Sequence, residues 1–327
     1  MNENKIGRRT FLERATLTTL SAAGLAKAWA GPVQGVVPNS SGTESPKLKA
    51  PPLACDCHHH IYDVDRFPPV QPGAIPNARV PEYRMLQQRI GSTRDVIVTP
   101  RPYGTDNRVT LDAIAQLKPN ARGVAVIHPD ITDAELKTLA SGGIRGIRFI
   151  PSSTANSAAV TTIDMIEPLS RRVNDLGWHV QIAMVGDEIV AAEDLWNRLP
   201  SVIVFDHMGE LPLPMGVKHP AFSLIRRLID KGRTWVKLSV GTQAGEYVSA
   251  KSRTHSYAEV NEVGRAYVQA APERLVWGSN WPHPNETTKP DDAVLLDLLA
   301  EWAPNERTRH RILVENPESL YGFPRSA

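Results

Sequence analysis

The chain of 327 residues lacks the features that mark several broad protein classes. It has only two cysteines, Cys55 and Cys57, and their spacing suits neither a disulfide nor a paired zinc–thiolate site. No run of about 18 apolar residues is present, which argues against a membrane-spanning helix. The formal net charge is only +2, and no basic stripe with interleaved aromatic residues indicates a nucleic-acid partner. The remaining composition, 41% hydrophobic and 22% charged, is that of a globular protein.

The first 30 residues resemble a bacterial export signal. Arg8-Arg9-Thr10-Phe11-Leu12 resembles the twin-arginine motif, a weakly apolar stretch follows over residues 15–26, and Ala28-Trp29-Ala30 offers a cleavage site. A disordered or amphipathic N-terminal helix is the alternative interpretation. We therefore predict a signal segment at 1–30, followed by a flexible linker rich in Pro, Gly and Ser at 31–52. The expected location is the periplasm, reached by export of the folded protein.

From residue 53 onward, short apolar runs alternate with helix-like segments. Many of the runs are continuous rather than alternating, which is typical of parallel strands buried on both faces. The predicted strands are Leu53–Cys57, Asp95–Thr99, Gly123–Ile127, Gly146–Ile150, Trp178–Met184, Ser201–Phe205, Trp235–Ser239 and Arg274–Trp277. Among the helices, residues 291–302 carry the clearest apolar stripe, through Leu295, Leu298, Leu299 and Trp302.

Eight strands alternating with helices over residues 53–327 predict the α/β class and a (β/α)8, or TIM, barrel. A doubly wound open sheet is the alternative. Such a sheet usually carries a glycine-rich phosphate loop after its first strand, where this chain has histidines instead.

Histidines follow two of the predicted strands. His58 and His60 end the first strand, and His207 comes directly after the sixth. Because the active site of a barrel is built at the C-terminal ends of its strands, we expect the three side chains to meet at the mouth. Three imidazoles can ligate one metal ion or divide the roles of base and orienting group. Structural histidines satisfied by hydrogen bonds are the alternative.

Several motifs give the chain a family resemblance over roughly residues 53–323. They are Asp56-Cys57-His58-His59-His60, Tyr103-Gly104-Thr105-Asp106-Asn107, Gly143-Ile144-Arg145-Gly146-Ile147-Arg148-Phe149, Asp206-His207-Met208-Gly209, Trp277-Gly278-Ser279-Asn280-Trp281-Pro282-His283-Pro284, and the tail from Asn316-Pro317 to Leu320-Tyr321. With these motifs the chain resembles the amidohydrolase-2 branch of the amidohydrolase superfamily, and in particular its lactone hydrolases.

The resemblance implies a (β/α)8 barrel that opens a lactone ring, with His58, His60 and His207 as catalytic residues. It also implies that Arg148 binds an anionic group of the substrate. The family's last-strand aspartate, its general base, aligns with Asn280. An amide takes up no proton near neutral pH, so Asn280 would instead orient water or stabilise the oxyanion.

Two hypotheses for water activation stay open. In one, a zinc ion is bound by His58, His60 and His207, with water as the fourth ligand and a pKa of that water near ~7. In the other, catalysis is metal-free and one of these histidines is the base.

The expected substrate is a small anionic lactone. Arg148 and Arg101 stand at predicted strand ends and are candidates to hold its anionic groups, while Tyr103 and His283 are candidates to hydrogen-bond it. Glu210 stands where the resembling pyrone-dicarboxylate hydrolases carry a basic residue, which argues against that dicarboxylate as the substrate.

The resemblance therefore favours hydrolysis of 4-sulfomuconolactone to maleylacetate and sulfite. A sugar-acid lactone isomerase of the galactarolactone type, or a non-catalytic exported binder of anionic lactones, is the alternative. We expect a monomer or small homo-oligomer, since one barrel can bury its own core.

Overall fold

Eight parallel strands, paired in chain order, form the centre of the fold. They are β1 Cys55–His59, β2 Arg94–Val98, β3 Ala121–Ala125, β4 Ile144–Phe149, β5 His179–Ile182, β6 Ile203–Phe205, β7 Thr234–Leu238 and β8 Leu275–Trp277. The last strand lies beside the first. Two backbone hydrogen bonds join the residues at their ends: the Asn280 amide donates to the His58 carbonyl at 2.8 Å, and the His60 amide donates to the Trp281 carbonyl at 2.8 Å.

The computed structural model describes residues 35–70, 77–151, 160–213, 215–240 and 257–325. Two units are distinguished, Met1–Gly31 and Pro32–Ala327, and the described residues all belong to the second. The predicted signal segment lies outside them. Within the described residues, no helix combines the length and apolar character needed to cross a membrane.

Helices alternate with the strands, as the apolar stripes predict. Their bounds are α1 Val80–Ile90, α2 Arg108–Leu117, α3 Asp133–Gly142, α4 Ile166–Asn174, α5 Gly186–Ala191, α6 Glu193–Arg198, α7 Pro220–Asp230, α8 Ala258–Ala270, α9 Asp292–Trp302, α10 Glu306–His310 and α11 Asn316–Tyr321. The predicted α/β class and (β/α)8 barrel are confirmed. Individual strand ends differ by at most two residues from those predicted.

The strands pack on both faces, which explains their continuous apolar character. Outward-facing residues such as Ile97, Phe205 and Val236 pack with the helices in one large buried cluster. Alternate residues form a separate cluster inside the barrel, which we call the lower layer. Its members are Cys55, Cys57, Val96, Val98, Val124, Val204, Trp235, Val276, Tyr321 and Phe323. Tyr321 and Phe323 come from the C-terminal segment.

Strand β1 contains one extra residue relative to β2. Asp56 pairs with Asp95, but His59 pairs with Ile97, so three steps along β1 match two along β2. Such a bulge shifts the alternation of side chains. Cys57 and His58 consequently both face the barrel interior, while His59 stacks outside it on Tyr83, with ring centroids 3.6 Å apart.

Residues 35–52 differ from the flexible linker that their composition predicts, since they are bound to the barrel. The Trp281 indole donates to the Pro38 carbonyl at 2.8 Å, and the Leu48 amide donates to Asp297 at 2.8 Å. Arg89, whose side chain is buried, donates to the Glu44 carbonyl at 2.8 Å. Composition could not reveal this, because the partner groups lie between about 45 and 250 residues away along the chain.

Candidate active site

A second set of inward-facing side chains lies above the lower layer, at the C-terminal ends of the strands. In contrast to the lower layer, all of its members are polar or charged. This upper layer consists of His58, His60, Arg148, Gln181, Asp206, His207, Lys237 and Ser239. It occupies the end of the barrel where (β/α)8 enzymes build their active sites.

The three predicted histidines lie together in this layer. The ring centroid of His58 is 5.0 Å from that of His60 and 4.8 Å from that of His207. Gly278 on the neighbouring strand end makes this approach possible, because a Cβ there would lie 2.6 Å from the Cβ of His58. The roles assigned to these histidines stay predictions, but the short distances between their rings allow all three to contact one bound substrate molecule.

Asp206 is the centre of the hydrogen-bond network. One carboxylate oxygen, Oδ2, accepts from Arg148 Nε at 2.9 Å and from Gln181 Nε2 at 2.9 Å. The other, Oδ1, lies 3.2 Å from His58 Nδ1. Burial alone would raise the pKa of this carboxyl, but His58, Arg148 and Lys237 together hold the pKa well below its usual range. Asp206 is therefore a buried carboxylate that stays ionised.

All three histidines are neutral at pH 7, which leaves each with a lone pair. Burial lowers the pKa of His207 to about 4 and places the pKa values of His58 and His60 well below their usual range. Nearby Arg148 lowers the pKa of His60 further. Neutral imidazoles can accept a proton or ligate a metal.

The tautomer of His60 is fixed by the backbone. Its Nδ1 lies 2.8 Å from the carbonyl oxygen of Val98, and a carbonyl can only accept, so Nδ1 carries the proton. The lone pair then belongs to Nε2. His60 is 4% exposed whereas His58 is fully buried, which places His60 nearer the solvent side. His207 is oriented by a side chain instead, since its Nδ1 forms a hydrogen bond with the Ser239 hydroxyl at 2.8 Å.

The possible metal ligands differ from the predicted set. Ligand atoms of His58, Asp206 and His207 all lie within 4.8 Å of one another, and we call these residues the His–Asp–His cluster. His58 Nε2 and Asp206 Oδ1 are buried and form no hydrogen bond with the described residues. Histidine and carboxylate ligands suit zinc, so the donor types fit. His60, which was predicted as a ligand, is not part of this cluster.

The remaining predicted residues lie around this centre. The Tyr103 hydroxyl accepts from the Asp63 amide at 3.1 Å, and its ring lies 6.1 Å from Tyr62, which is itself 6.4 Å from His60. His283 Nε2 contacts Asp292 Oδ1 at 3.0 Å, and His283 influences the pKa of His207.

The last two predicted site residues are Asn280 and Arg101. Asn280 adopts a left-handed backbone, with φ 66°. Arg101 lines a small cavity with Val126 and Thr161. Their contact with a substrate stays a prediction.

Sequence reasoning missed four members of the upper layer: Gln181, Asp206, Lys237 and Ser239. Asp206 was part of a quoted motif but was assigned no role. The other three lie within or just after apolar strands that were interpreted as core. Lys237 carried a usable signal, because lysine is almost never fully buried unless it is paired.

Glu210 adds a second carboxylate beside this layer. It lies three residues after His207 in a left-handed conformation with φ 42°. Burial and, to a smaller extent, the nearby Asp206 carboxylate raise its pKa to about 7, while the charge of Arg148 opposes the shift. The carboxylate therefore lies within electrostatic reach of Arg148.

Comparison with known proteins agrees with this geometry. The family model described as Amidohydrolase matches residues 55–323. The 2-pyrone-4,6-dicarboxylate hydrolase of Comamonas testosteroni is 31% identical over 283 residues, covering 84% of this chain and 92% of that protein. The 4-sulfomuconolactone hydrolase of Rhizobium radiobacter is 30% identical over 295 residues, covering 85% and 95%. The D-galactarolactone isomerase of Agrobacterium fabrum is 32% identical over 292 residues, covering 86% and 94%.

Proposed function

The chain belongs to the amidohydrolase family, and we propose that it is a hydrolase that opens a small anionic lactone. The observation that carries this proposal is the set of three neutral histidines beside an ionised, buried carboxylate at the mouth of the barrel. The relatives at about 30% identity act on lactones, which supports a lactone-processing enzyme.

His60 is the residue that we assign as the base. Its Nδ1 proton is held by the Val98 carbonyl, so its Nε2 can accept a proton from water as that water attacks the lactone carbonyl. Arg148 lies close enough to influence the pKa of His60, and its charge would stabilise the negative charge that develops on the carbonyl oxygen. Asn280, which cannot be a base, would orient the water.

The finer proposal concerns the substrate. With 4-sulfomuconolactone, water adds to the ester carbonyl, the bond from that carbon to the ring oxygen breaks, and the ring oxygen takes a proton. The product then carries a hydroxyl and a sulfonate on one carbon. It collapses to a ketone, maleylacetate, and releases sulfite. The enzyme itself would need only to open the ester.

A sugar-acid lactone isomerase is the second candidate. Glu210 favours it, because a carboxylate beside Arg148 can accept hydrogen bonds from ring hydroxyls while Arg148 binds the acid group. The 32% identity to a D-galactarolactone isomerase points the same way. A non-catalytic binder would hold the same ligands without turnover.

A zinc-assisted reaction is the alternative to this metal-free one. If bound, the zinc ion would be held by the His–Asp–His cluster and would make a coordinated water more acidic.

Export to the periplasm also stays a proposal, supported by the motif at Arg8-Arg9. Fractionation of cells that express the full chain would test it.

One experiment separates the functions. The full chain is incubated with 4-sulfomuconolactone or with sugar-acid lactones in isotopically labelled water, and the products are analysed by NMR and mass spectrometry. Ring opening with one labelled oxygen supports the hydrolase, and an isomeric lactone without label supports the isomerase. If the protein binds these lactones but converts none of them, both enzymatic proposals are contradicted.

A matched pair of variants tests the base. His60→Gln should lower kcat by about 100-fold or more, in the range typical of lost general-base catalysis. His59→Gln makes the same change one residue away, on the outer face of β1, and should leave kcat within a few-fold. Equal losses in the two variants, with both shown to be folded by circular dichroism, would remove His60 from the reaction.

A further inference from the structure

Lys237 is a buried charge that the proposed reaction does not use. It lies on β7, and none of its side chain is exposed. Lysine loses a strong hydration shell on burial, so a fully buried ammonium needs partners that replace the lost water. The position of Lys237 therefore needs a physical reason.

Its partners come from two other strands and from the residue just after a third. The ammonium donates to Gln181 Oε1 at 2.7 Å on β5 and to the Cys57 carbonyl at 2.9 Å on β1. It also lies 3.3 Å from His58 Nδ1 and 3.7 Å from Asp206 Oδ1. These contacts hold the ammonium beside His58 and Asp206, in the interior of the barrel.

Two members of the His–Asp–His cluster thus already contact a cation. Arg148 approaches the opposite oxygen of the same Asp206 carboxylate at 2.9 Å. Between them, Lys237 and Arg148 neutralise the one carboxylate of the cluster. A divalent metal bound there would be repelled by both cations in a site with little water to screen the charges.

The partners of Lys237 suit an ammonium. Gln181 Oε1, the Cys57 carbonyl and the Asp206 carboxylate are all acceptors, and an ammonium has three hydrogens to donate and no lone pair to accept with.

We propose that Lys237 is a positioning residue and the built-in cation of this site. Its ammonium holds Asp206 and His58 in place where a divalent metal would otherwise do so. Its charge also keeps such a metal from binding tightly to the His–Asp–His cluster. The proposal depends on the geometry of the barrel and not on which lactone is the substrate.

The test measures metal affinity without substrate. Full-length wild type and Lys237→Met, which has a side chain of similar length and no charge, are freed of metal with a chelator and checked by elemental analysis. Each is titrated at pH 7 with Zn²⁺ by calorimetry and with Co²⁺ by visible absorption, which reports the coordination geometry. We expect Lys237→Met to bind Zn²⁺ at least ~10-fold more tightly than wild type, about 1.4 kcal/mol.

Three controls assign the effect. Lys237→Arg keeps the charge and should bind metal as weakly as wild type. Lys231→Met makes the same substitution at an exposed lysine of another element and should change nothing. Adding Asp206→Asn to Lys237→Met should abolish the gained affinity, which would place the metal at the cluster.

Either of two results would overturn the proposal. One is equal affinity in wild type and a folded Lys237→Met or Lys237→Gln variant. The other needs no Lys237 variant: stoichiometric binding of Zn²⁺ to wild type with a Kd below micromolar that is lost in Asp206→Asn. Weak binding by wild type supports the proposal. A lack of lactonase activity would leave these results unaffected, so the two proposals fail separately.

Discussion

The lower and upper layers of the barrel interior come from the same strands but have opposite character. On β6 and the residue after it, Val204 belongs to the lower layer and Asp206 to the upper. On β7, Trp235 and Lys237 stand in the same relation. Two residues along a strand, about 7 Å, separate an apolar core from a network of charges.

Burial does not distinguish the two layers, because both are almost completely hidden from solvent. Trp235 is 5% exposed, and Asp206 and Lys237 are 1% and 0% exposed. The difference lies in the partners. The upper layer is tolerated because its carboxylate, ammonium and guanidinium groups pair with one another. The lower layer, closed by Tyr321 and Phe323, provides few polar partners. The lower layer therefore supports stability, and the upper layer supports chemistry.

The largest expected effect breaks the lower layer. Trp235→Ala should lower the free energy of unfolding by about 3–5 kcal/mol, because it leaves a large cavity under the active site. Denaturant unfolding at pH 7 measures this change. Trp235→Phe keeps most of the volume and should lose less. The kcat/KM of the folded variant should stay close to wild type, so a parallel loss of activity would contradict the separation of the two layers.

A smaller effect involves His179, a polar residue facing the lower layer. Its ring centroid lies 5.4 Å from that of Tyr321, and burial lowers its pKa to about 3. In the unfolded chain the pKa returns to about 6.5. As the pH falls from 7 to 4.5, the unfolded state therefore takes up a proton that the native state does not. The free energy of unfolding should therefore fall over this pH range, and the contribution of His179 to that fall is on the order of 2 kcal/mol.

Comparison with His179→Leu isolates that contribution. Unfolding measured at pH 7 and pH 4.5 should show a smaller acid-induced loss in the variant than in wild type, while His59 and His207 keep contributing to both. An identical loss in the two proteins would mean that His179 is already protonated in the native state.

The smallest expected effect concerns the upper layer at Asn280. Asn280→Asp should change kcat/KM by less than ~10-fold, because the base is assigned to His60 and Asp tolerates the left-handed φ of 66°. Steady-state kinetics on the preferred lactone would measure this. Asn280→Gly keeps the backbone and removes the side chain, so it controls for the loss of the amide. A complete loss in Asn280→Asp would show that the amide donor is essential.

The histidines and the barrel could be predicted because their signals are local in sequence. Continuous Val- and Ile-rich runs mark buried parallel strands, and His58, His60 and His207 stand at the strand ends that meet in such a barrel. The bulge in β1 was not predictable in this way, because it is defined by pairing with β2. The packing of residues 35–52 escaped prediction for the same reason, since composition describes a segment without its partners.

By itself, the sequence determined the alternation of strands and helices, the barrel that follows from it and the histidines at its mouth. Hydrophobic patterning depends on residues that are neighbours along the chain, so it can be recognised without the three-dimensional structure. Only the tertiary structure decided that Asp206 is held by Arg148 and Gln181, and that the Lys237 ammonium contacts His58. Those residues come from four different strands and from the chain just after a fifth, and only closure of the barrel places their charges within reach of one another.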